Sequence, residues 1–500
     1  MTAVVWLKRD LRVTDHAPLY EAAQSGQQVL PLYVVEPDYW QQPDTSRRHW
    51  HFIHDSLQVL QQDLVQLGQA LVVRVGEICS VLTALQAAHG VTTLYSHEET
   101  GNGWTYRRDK RVAAWCRERK VAWHEFPTNG VVRRLSSRDA WSKIHQQRIQ
   151  APIVPMPRQL IPVSGIILGK IPTKEDPIFG HANIGQVQHG GRKLGQQTLD
   201  SFLQERAARY TASLSKPEPA LQYCSRLSTH ITYGTLSVRE IFQSSWNRLR
   251  ALDAGAGADA SQLRRGIRNF LSRLHWHCHF MQKLEDQPGI EYQCTHPAFE
   301  GMREAQHRPD YLQAWYEGRT GYPLVDACMR SLHKWGWLNF RMRAMVVSFA
   351  SYDLWLDWRQ TGPLLAQLFT DYEPGIHYSQ LQMQSGVTGI NAIRMYDPTK
   401  QLRDHDPEGH FVRQYIPELQ DAPATWLTSL NRQPDLFAQY QPPGNYPAPI
   451  VNHGDAVKYA RERITAVRRS DRFKELSKKV YQKLGSRKRP AKRRAVKARK

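Results

Sequence analysis

The chain has 500 residues, enough for two or more domains around a large core. Its formal net charge is +21; Arg487–Lys500 holds nine Lys/Arg and no acid, so +12 remains elsewhere and nucleic acid is the favoured partner. Six scattered cysteines form no CxxC pair and no apolar run is long enough for a bilayer. This excludes a disulfide-stapled fold, a thiolate cluster and a membrane span, and points to a soluble protein of a reducing compartment, with no signal peptide ahead of the first strand.

Over residues 1–130 short β-branched runs alternate with amphipathic stretches. Strands are predicted at Val4–Leu7, Val29–Val35, Leu71–Val75, Thr92–Tyr95 and Val121–Phe126, with helices at His54–Leu67 and Val81–His89. This is the βαβ pattern of an α/β, Rossmann-like parallel sheet. No GxGxxG follows the first strand, so a dinucleotide site is not supported there. Arg9, Asp10, Arg12 and Asp15 lie at that strand's carboxyl end, where such sheets bind ligands. Helix capping and surface pairing is nevertheless the preferred reading for them. Residues 131–198 are rich in Pro and Gly and read as an interdomain linker with some helix.

An all-helical domain is expected over 199–482. Its helices are predicted at Leu199–Tyr210, Val238–Arg250, Gln262–Lys283, Pro309–Glu317, Pro323–Trp335, Arg341–Gln360 and Pro363–Phe369, with an exposed loop at Ala254–Asp259. Residues 483–500 read as a basic, disordered tail, adding grip on DNA or serving as a nuclear import signal.

The stretch Gly321–Asp371 is the most informative. An arginine in an apolar helix, Arg343, needs a partner, and Asp371 is the candidate. Trp315, Trp335, Trp337, Trp355 and Trp358 surround them, which suits a large aromatic redox cofactor better than a metal. Trp355 and Trp358, three apart, are expected on one helix face. Of His275, His277 and His279, only the first and last share a helix face and the glutamate of a zinc motif is missing, so no metal is expected.

The text GRTGYPLVDACMR…GW…R.R…DLWLDWR…D resembles the flavin-binding helical domain of the photolyase/cryptochrome family. The resemblance runs from VVWLKRDLRVTDH to IRMYDPTKQ…DPEGHFVRQYIPEL. It implies FAD as cofactor, with a folate- or deazaflavin-type antenna chromophore as an option in the N-terminal domain. Tyr210 and Cys224-Ser225-Arg226-Leu227-Ser228 match the loop that cradles the pyrophosphate, Cys224 standing where Thr is usual. Arg343 and Asp371 match the pair beside the isoalloxazine, Glu373 the ribose or adenine end, and His377 the Asn beside flavin N5. As a histidine, His377 is expected to titrate near neutrality and gate flavin protonation.

Of the family's three relay tryptophans only Trp358 is kept; Leu381 and Ala305 stand at the other two positions. Substitute routes are Trp355, Tyr378, Trp335, Trp337 and Trp315. Trp276 matches the tryptophan that stacks on the flipped lesion, and Arg341 and Arg394 match DNA contacts. Arg273, Phe340 and Met383 depart from the family's Glu, Asn and second stacking Trp. The resemblance implies light-driven repair of pyrimidine dimers, the cyclobutane type foremost, by a monomer acting on UV-damaged DNA. The alternatives are a blue-light receptor without repair and a (6-4) enzyme. The expected location is cytoplasmic, nucleoid-associated in a prokaryote or nuclear in a eukaryote.

Overall fold

Five strands build the N-terminal half: β1 (Thr2–Leu7), β2 (Gln28–Val35), β3 (Val72–Val75), β4 (Val91–His97) and β5 (Ala122–Phe126). All pair in parallel, in the order β3-β2-β1-β4-β5. Every residue of β1 is buried, which is why the strand reads as a continuous apolar run rather than an alternating one. The covering helices carry local signals. Ser46 and His49 form a capping box for Arg47–Gln66, and Ile78–His89 starts on the Glu77 side chain and stops at Gly90 in the left-handed region. The strand order reverses between β1 and β4, so the crevice beyond their carboxyl ends is the place for a ligand.

The computed structural model describes residues 1–182, 184–253, 258–305, 308–429 and 445–485. All five strands stand within a residue or two of their predicted positions. Within 131–198 the helix Arg138–Gln150 packs against Val238–Asp253. The remainder is helical. Pro309–Glu317 and Pro323–Trp335 have the predicted ends, each with proline in the first turn and a left-handed glycine after the last.

Four expectations change. The stretch predicted at Leu199–Tyr210 is two helices, Arg192–Ser201 and Ala207–Ser213, joined by a π-helical turn. Helix Ala258–Asp286 already covers part of the loop expected at Ala254–Asp259, and residues 254–257 lie outside the described residues. Leu484, assigned to the basic tail, is fully buried at the end of helix Asp471–Leu484, while 486–500 lie outside the described residues. Finally, the single helix expected over Arg341–Gln360 is broken. Phe340–Ser348 passes into a π turn at Phe349–Asp353, Trp355 takes φ +54°, and a new helix starts at Trp358 on the Asp357 side chain. Trp355 and Trp358 therefore do not share a helix face. Trp355 packs under Arg303 at 4.3 Å and edge-on to Tyr459, tertiary contacts that override helical spacing.

The two halves dock through specific polar bonds. Arg9 donates to the Tyr372 carbonyl (2.7 Å), the Thr232 carbonyl (3.1 Å) and Glu373 (3.1 Å), and Arg12 donates to the Gly234 carbonyl (2.9 Å). A Cβ on Gly234 would sit 2.3 Å from the Arg9 carbonyl oxygen, so this close approach requires glycine. Asp10, Arg12 and Asp15 are buried, and Arg9 reaches across the interface. The surface-pairing reading of these four residues is corrected: Arg9, Arg12 and Asp15 hold the halves together, Asp15 by accepting from the Ser237 hydroxyl and Arg239, while Asp10 is buried among His16 and His97 within the N-terminal half.

Burial also sets the pH response. It lowers His49, His145, His230, His277 and His377 to about 4 and His97 to about 3. Between pH 6.5 and 4 the unfolded chain binds protons that these rings refuse in the fold, so stability falls as pH falls through that window. Burial acts oppositely on Glu36, Glu291 and Glu373, raised to about 7, and Asp353, raised to about 6. These four bind protons in the fold within the same window and offset part of the effect. His51, His279, His296, His333 and His405 are also lowered, and Asp63, Glu98, Glu285, Asp286, Asp326 and Asp406 also raised. The histidines still exceed the acids, though by a single group, so the urea midpoint is expected to be modestly lower at pH 5 than at pH 7; a higher midpoint at pH 5 contradicts this balance.

Candidate functional site

Arg343 extends from helix Phe340–Ser348 toward Asp371, in the loop after helix Trp358–Leu368. Its Nη2 donates to both carboxylate oxygens, at 3.0 and 2.8 Å, and its Nε donates to the Leu338 carbonyl at 2.7 Å. The guanidinium lies 4.0 Å from the Phe369 ring centre. Burial alone would raise the Asp371 carboxyl. The charge and hydrogen bonds of Arg343, then the Ser228 hydroxyl and Arg226, outweigh it and hold Asp371 below its ordinary value. The site therefore keeps a fixed carboxylate between two guanidinium groups at neutral pH.

Arg226 has φ +59° and lies 4.2 Å over the Trp337 ring. Burial pulls it down to about 10, with Asp371 opposing, so it stays cationic at neutral pH. Its Nη1 is buried with no protein partner. An unpaired cationic donor is costly unless an anion meets it. The pyrophosphate of FAD has the charge this loop lacks, so the residues present fit that group. The helix that begins at Ser228 spans only Ser228–Thr232, too short for a strong dipole, so an anion at this loop would meet the cation rather than a helix start.

The flanking residues shape the same loop. Ser225 Oγ accepts from the Leu227 N–H at 3.4 Å. The Cys224 thiol is buried and pushed up to about 12, hence neutral, and its carbonyl is held by Arg206. The Tyr210 ring packs edge-on to Phe202, and burial pushes its hydroxyl up to about 12, partly opposed by the nearby Arg273 charge. Arg273 thus stands close enough for its charge to act on the loop's own tyrosine. Glu373 directly precedes helix Pro374–Gln384, its carboxylate turned to Arg9 rather than capping the helix; burial, partly opposed by Arg9, raises it to about 7.

His377 lies in that helix with Nε2 2.9 Å from the Gly362 carbonyl. A carbonyl only accepts, so Nε2 carries the proton and Nδ1 is left as an acceptor. Burial lowers the ring to about 4. It is neutral throughout the neutral range, which corrects the expected titration near pH 7: desolvation outweighs the neighbouring carboxylate.

Around Trp358 the substitute relay candidates separate. The Trp315 indole donates to the Val346 carbonyl in the core, Trp335 donates to the Tyr415 hydroxyl, and Trp337 lies under Arg226. Tyr378 meets Trp358 directly, ring centres 6.4 Å apart and edge-on. Leu381 packs against Gly362 beside Tyr378.

Arg341 and Arg394 line one open cavity together with Ile393, Met395, Tyr396 and Arg461. Arg461 comes from helix His453–Arg469 and escaped the sequence reading, because a basic residue on a basic amphipathic helix carries no signal of its own. Trp276 is not among the cavity's lining residues. It stacks on Phe280 at 5.8 Å and meets His279 edge-on in helix Ala258–Asp286.

A second cavity of about 220 Å³ sits at the β1/β4 reversal, lined by Lys8, Arg9, His97, Glu99, His277 and Glu373 among others. Asp10 at its edge takes hydrogen bonds from His97 (2.7 Å) and His16 (3.0 Å). Among the described residues these three are the group whose ligand atoms converge as a metal site would require. His16 spends its other nitrogen accepting the Leu19 N–H, so the cluster is satisfied as a hydrogen-bond network.

Residues 3–140 match the family model described as DNA photolyase, and residues 270–466 match the FAD binding domain of DNA photolyase. The chain belongs to the photolyase/cryptochrome family. The photolyase/cryptochrome fold, an N-terminal parallel sheet with a helical FAD-binding half, is what the strand order and helices above describe. The deoxyribodipyrimidine photo-lyase of Escherichia coli (strain K12) is 29% identical over 491 residues, spanning 91% of this chain and 96% of that protein. Cryptochrome-2 of Arabidopsis thaliana is 26% identical, spanning 85% of this chain and 72% of that protein. A class III photolyase from Agrobacterium tumefaciens superposes with a TM-score of 0.80 at 22% identity, over 94% of this chain and 98% of that one, a likeness of fold. Among the described residues no helix is long and apolar enough to cross a membrane.

Proposed function

We propose that this flavoprotein is a light-driven DNA repair lyase acting on UV-induced pyrimidine dimers of the cyclobutane type. The observation that carries the reading is the conjunction, on the FAD-binding half, of the Arg343–Asp371 pair with an open cavity ringed by three arginines. The bound flavin supplies light-driven one-electron donation to the lesion. The chain's own groups set the conditions for it. Arg343 holds positive charge where the reduced ring is anionic, and Asp371 fixes that guanidinium. His377 offers Nδ1 as an acceptor and no proton at neutral pH. Arg226, with Tyr210 and residues 224–228, holds the pyrophosphate, and Glu373 the ribose or adenine end.

Arg341, Arg394 and Arg461 grip DNA phosphates, and Trp276 stacks on the extruded bases. The protein acts as a monomer. The interdomain cavity is the place for an antenna chromophore of folate or deazaflavin type, its position at the strand-order reversal being the support. The test uses dithionite-reduced protein with a UV-damaged oligonucleotide under illumination, lesion loss being measured against a dark control. Loss that is equal in the dark rejects the reading.

The second reading is a cryptochrome-type light receptor. Arg273, Phe340 and Met383 favour it, since a guanidinium has no acceptor for a pyrimidine N3–H. Light-driven flavin redox change with no lesion loss, on cyclobutane or (6-4) substrates alike, would select it.

A further inference from the structure

The C-terminal helices hold more positive charge than the arginine-lined cavity employs. Between His453 and Leu484 stand ten Lys/Arg against four Asp/Glu, and the sequence from 485 to 500 adds nine Lys/Arg and no acid. Two helices carry the first set, His453–Arg469 and Asp471–Leu484, and the Ser470 side chain caps the second. In that second helix Phe473, Leu476, Ser477, Val480 and Leu484 recur at helical spacing on one face, and all are half-buried or buried. Arg472, Lys478, Lys479 and Lys483 lie outside this face and are exposed. Lys474 is taken by Asp471 at 3.0 Å, whereas Arg472, Lys478 and Lys479 form no ion pair among the described residues.

The helix is seated beside the cavity. Phe473 stacks on the His296 ring at 4.2 Å, and His296 Nε2 donates to the Ser477 hydroxyl at 3.2 Å. The His296 N–H bonds the Val387 carbonyl at 3.1 Å, and Gly389 packs directly on the same ring. Four residues further along, Ile393 begins the run that lines the cavity through Tyr396. Arg468 donates to the Asn391 carbonyl of that loop at 2.9 Å, and Arg461, two turns earlier on its helix, lines the cavity itself. At the far end the Lys483 charge acts on Asp286, the last residue of the helix that carries Trp276.

We propose that helix Asp471–Leu484 is a second DNA-contacting element, laying Arg472, Lys478 and Lys479 against phosphates of the undamaged duplex beside the lesion. The proposal rests on the DNA reading of the cavity. A basic amphipathic helix can also lie on an anionic membrane, but that needs a free apolar face. Here Phe473 and Leu484 spend that face on the protein. The continuity with Arg461 and Arg394 favours DNA over an acidic protein, because one duplex can run from the cavity onto the helix. Its 14 residues span about 21 Å, the rise of about six base pairs. Phosphate contacts carry no information about the bases, so the element adds affinity without lesion preference.

The test is fluorescence anisotropy on full-length, FAD-loaded protein with a duplex of about 30 base pairs, damaged or intact, across a salt series. Arg472→Gln/Lys478→Gln/Lys479→Gln is expected to weaken both duplexes alike, by about ten-fold, and to lower the slope of log K against log salt by about 2–3. The control Arg117→Gln/Arg119→Gln/Lys120→Gln removes the same charge from exposed positions on the N-terminal half and should keep the wild-type slope. An unchanged slope in the first variant, or an equal drop in the control, overturns the assignment while wild-type binding leaves the DNA reading standing. A first variant that loses binding to phosphatidylserine vesicles but keeps its DNA slope overturns it in favour of a membrane. A wild type that binds neither duplex brings down the DNA reading and the second element together.

Discussion

Arg343→Leu is expected to leave the purified protein colourless and to lower its unfolding free energy by about 3 kcal/mol, the lower end of what breaking a buried ion pair costs. Asp371 is the reason. Its carboxylate is buried and takes two hydrogen bonds from Arg343, so the variant strands a negative charge that the fold cannot hydrate. Arg226 remains close enough to soften the loss, which is why the lower end applies. The double variant Arg343→Leu/Asp371→Leu removes both charges and should regain most of the stability while staying unable to bind FAD. Urea titration and flavin absorbance on the same samples separate the two effects. If the single variant stays yellow with an unchanged midpoint, the pair is not part of the flavin site.

That pair was legible in the sequence because a charge inside an apolar helix forces a search for its partner, and Asp371 was the acid in reach. The strands were legible for a related reason. A parallel sheet covered on both faces leaves runs such as Ala3–Leu7 and Val29–Val35, bounded by polar turns. What escaped depended on tertiary contacts. Nothing local says that Trp355 takes a positive φ beneath Arg303, so helical spacing misplaced it relative to Trp358. Arg9 and Asp15 look like surface charges in one dimension and become interface anchors only when Glu373, for Arg9, and Ser237 and Arg239, for Asp15, arrive from more than 200 residues away. His377 was read with an ordinary imidazole pKa because sequence carries no measure of desolvation.

The largest expected effect on DNA binding comes from the arginine-lined cavity. Arg341→Gln, Arg394→Gln and Arg461→Gln together are expected to weaken binding of damaged DNA on the order of 10²-fold near physiological salt. They should also reduce the slope of log K against log salt by about 2–3. The slope is the more telling quantity, because each phosphate contact releases about one counterion whatever the sequence bound. Trp276→Ala should behave in the opposite way. Loss of a stacking face costs roughly 1–3 kcal/mol for the extruded lesion and leaves the salt slope unchanged. Filter binding of damaged and undamaged duplexes across a salt series resolves both at once. Were the triple variant to keep its slope, the three guanidiniums would be ordinary surface charges and DNA would approach another face. If Trp276→Ala then lost lesion preference with the arginines exonerated, the binding surface would have to be sought around helix Ala258–Asp286, where Trp276 and Phe280 stack.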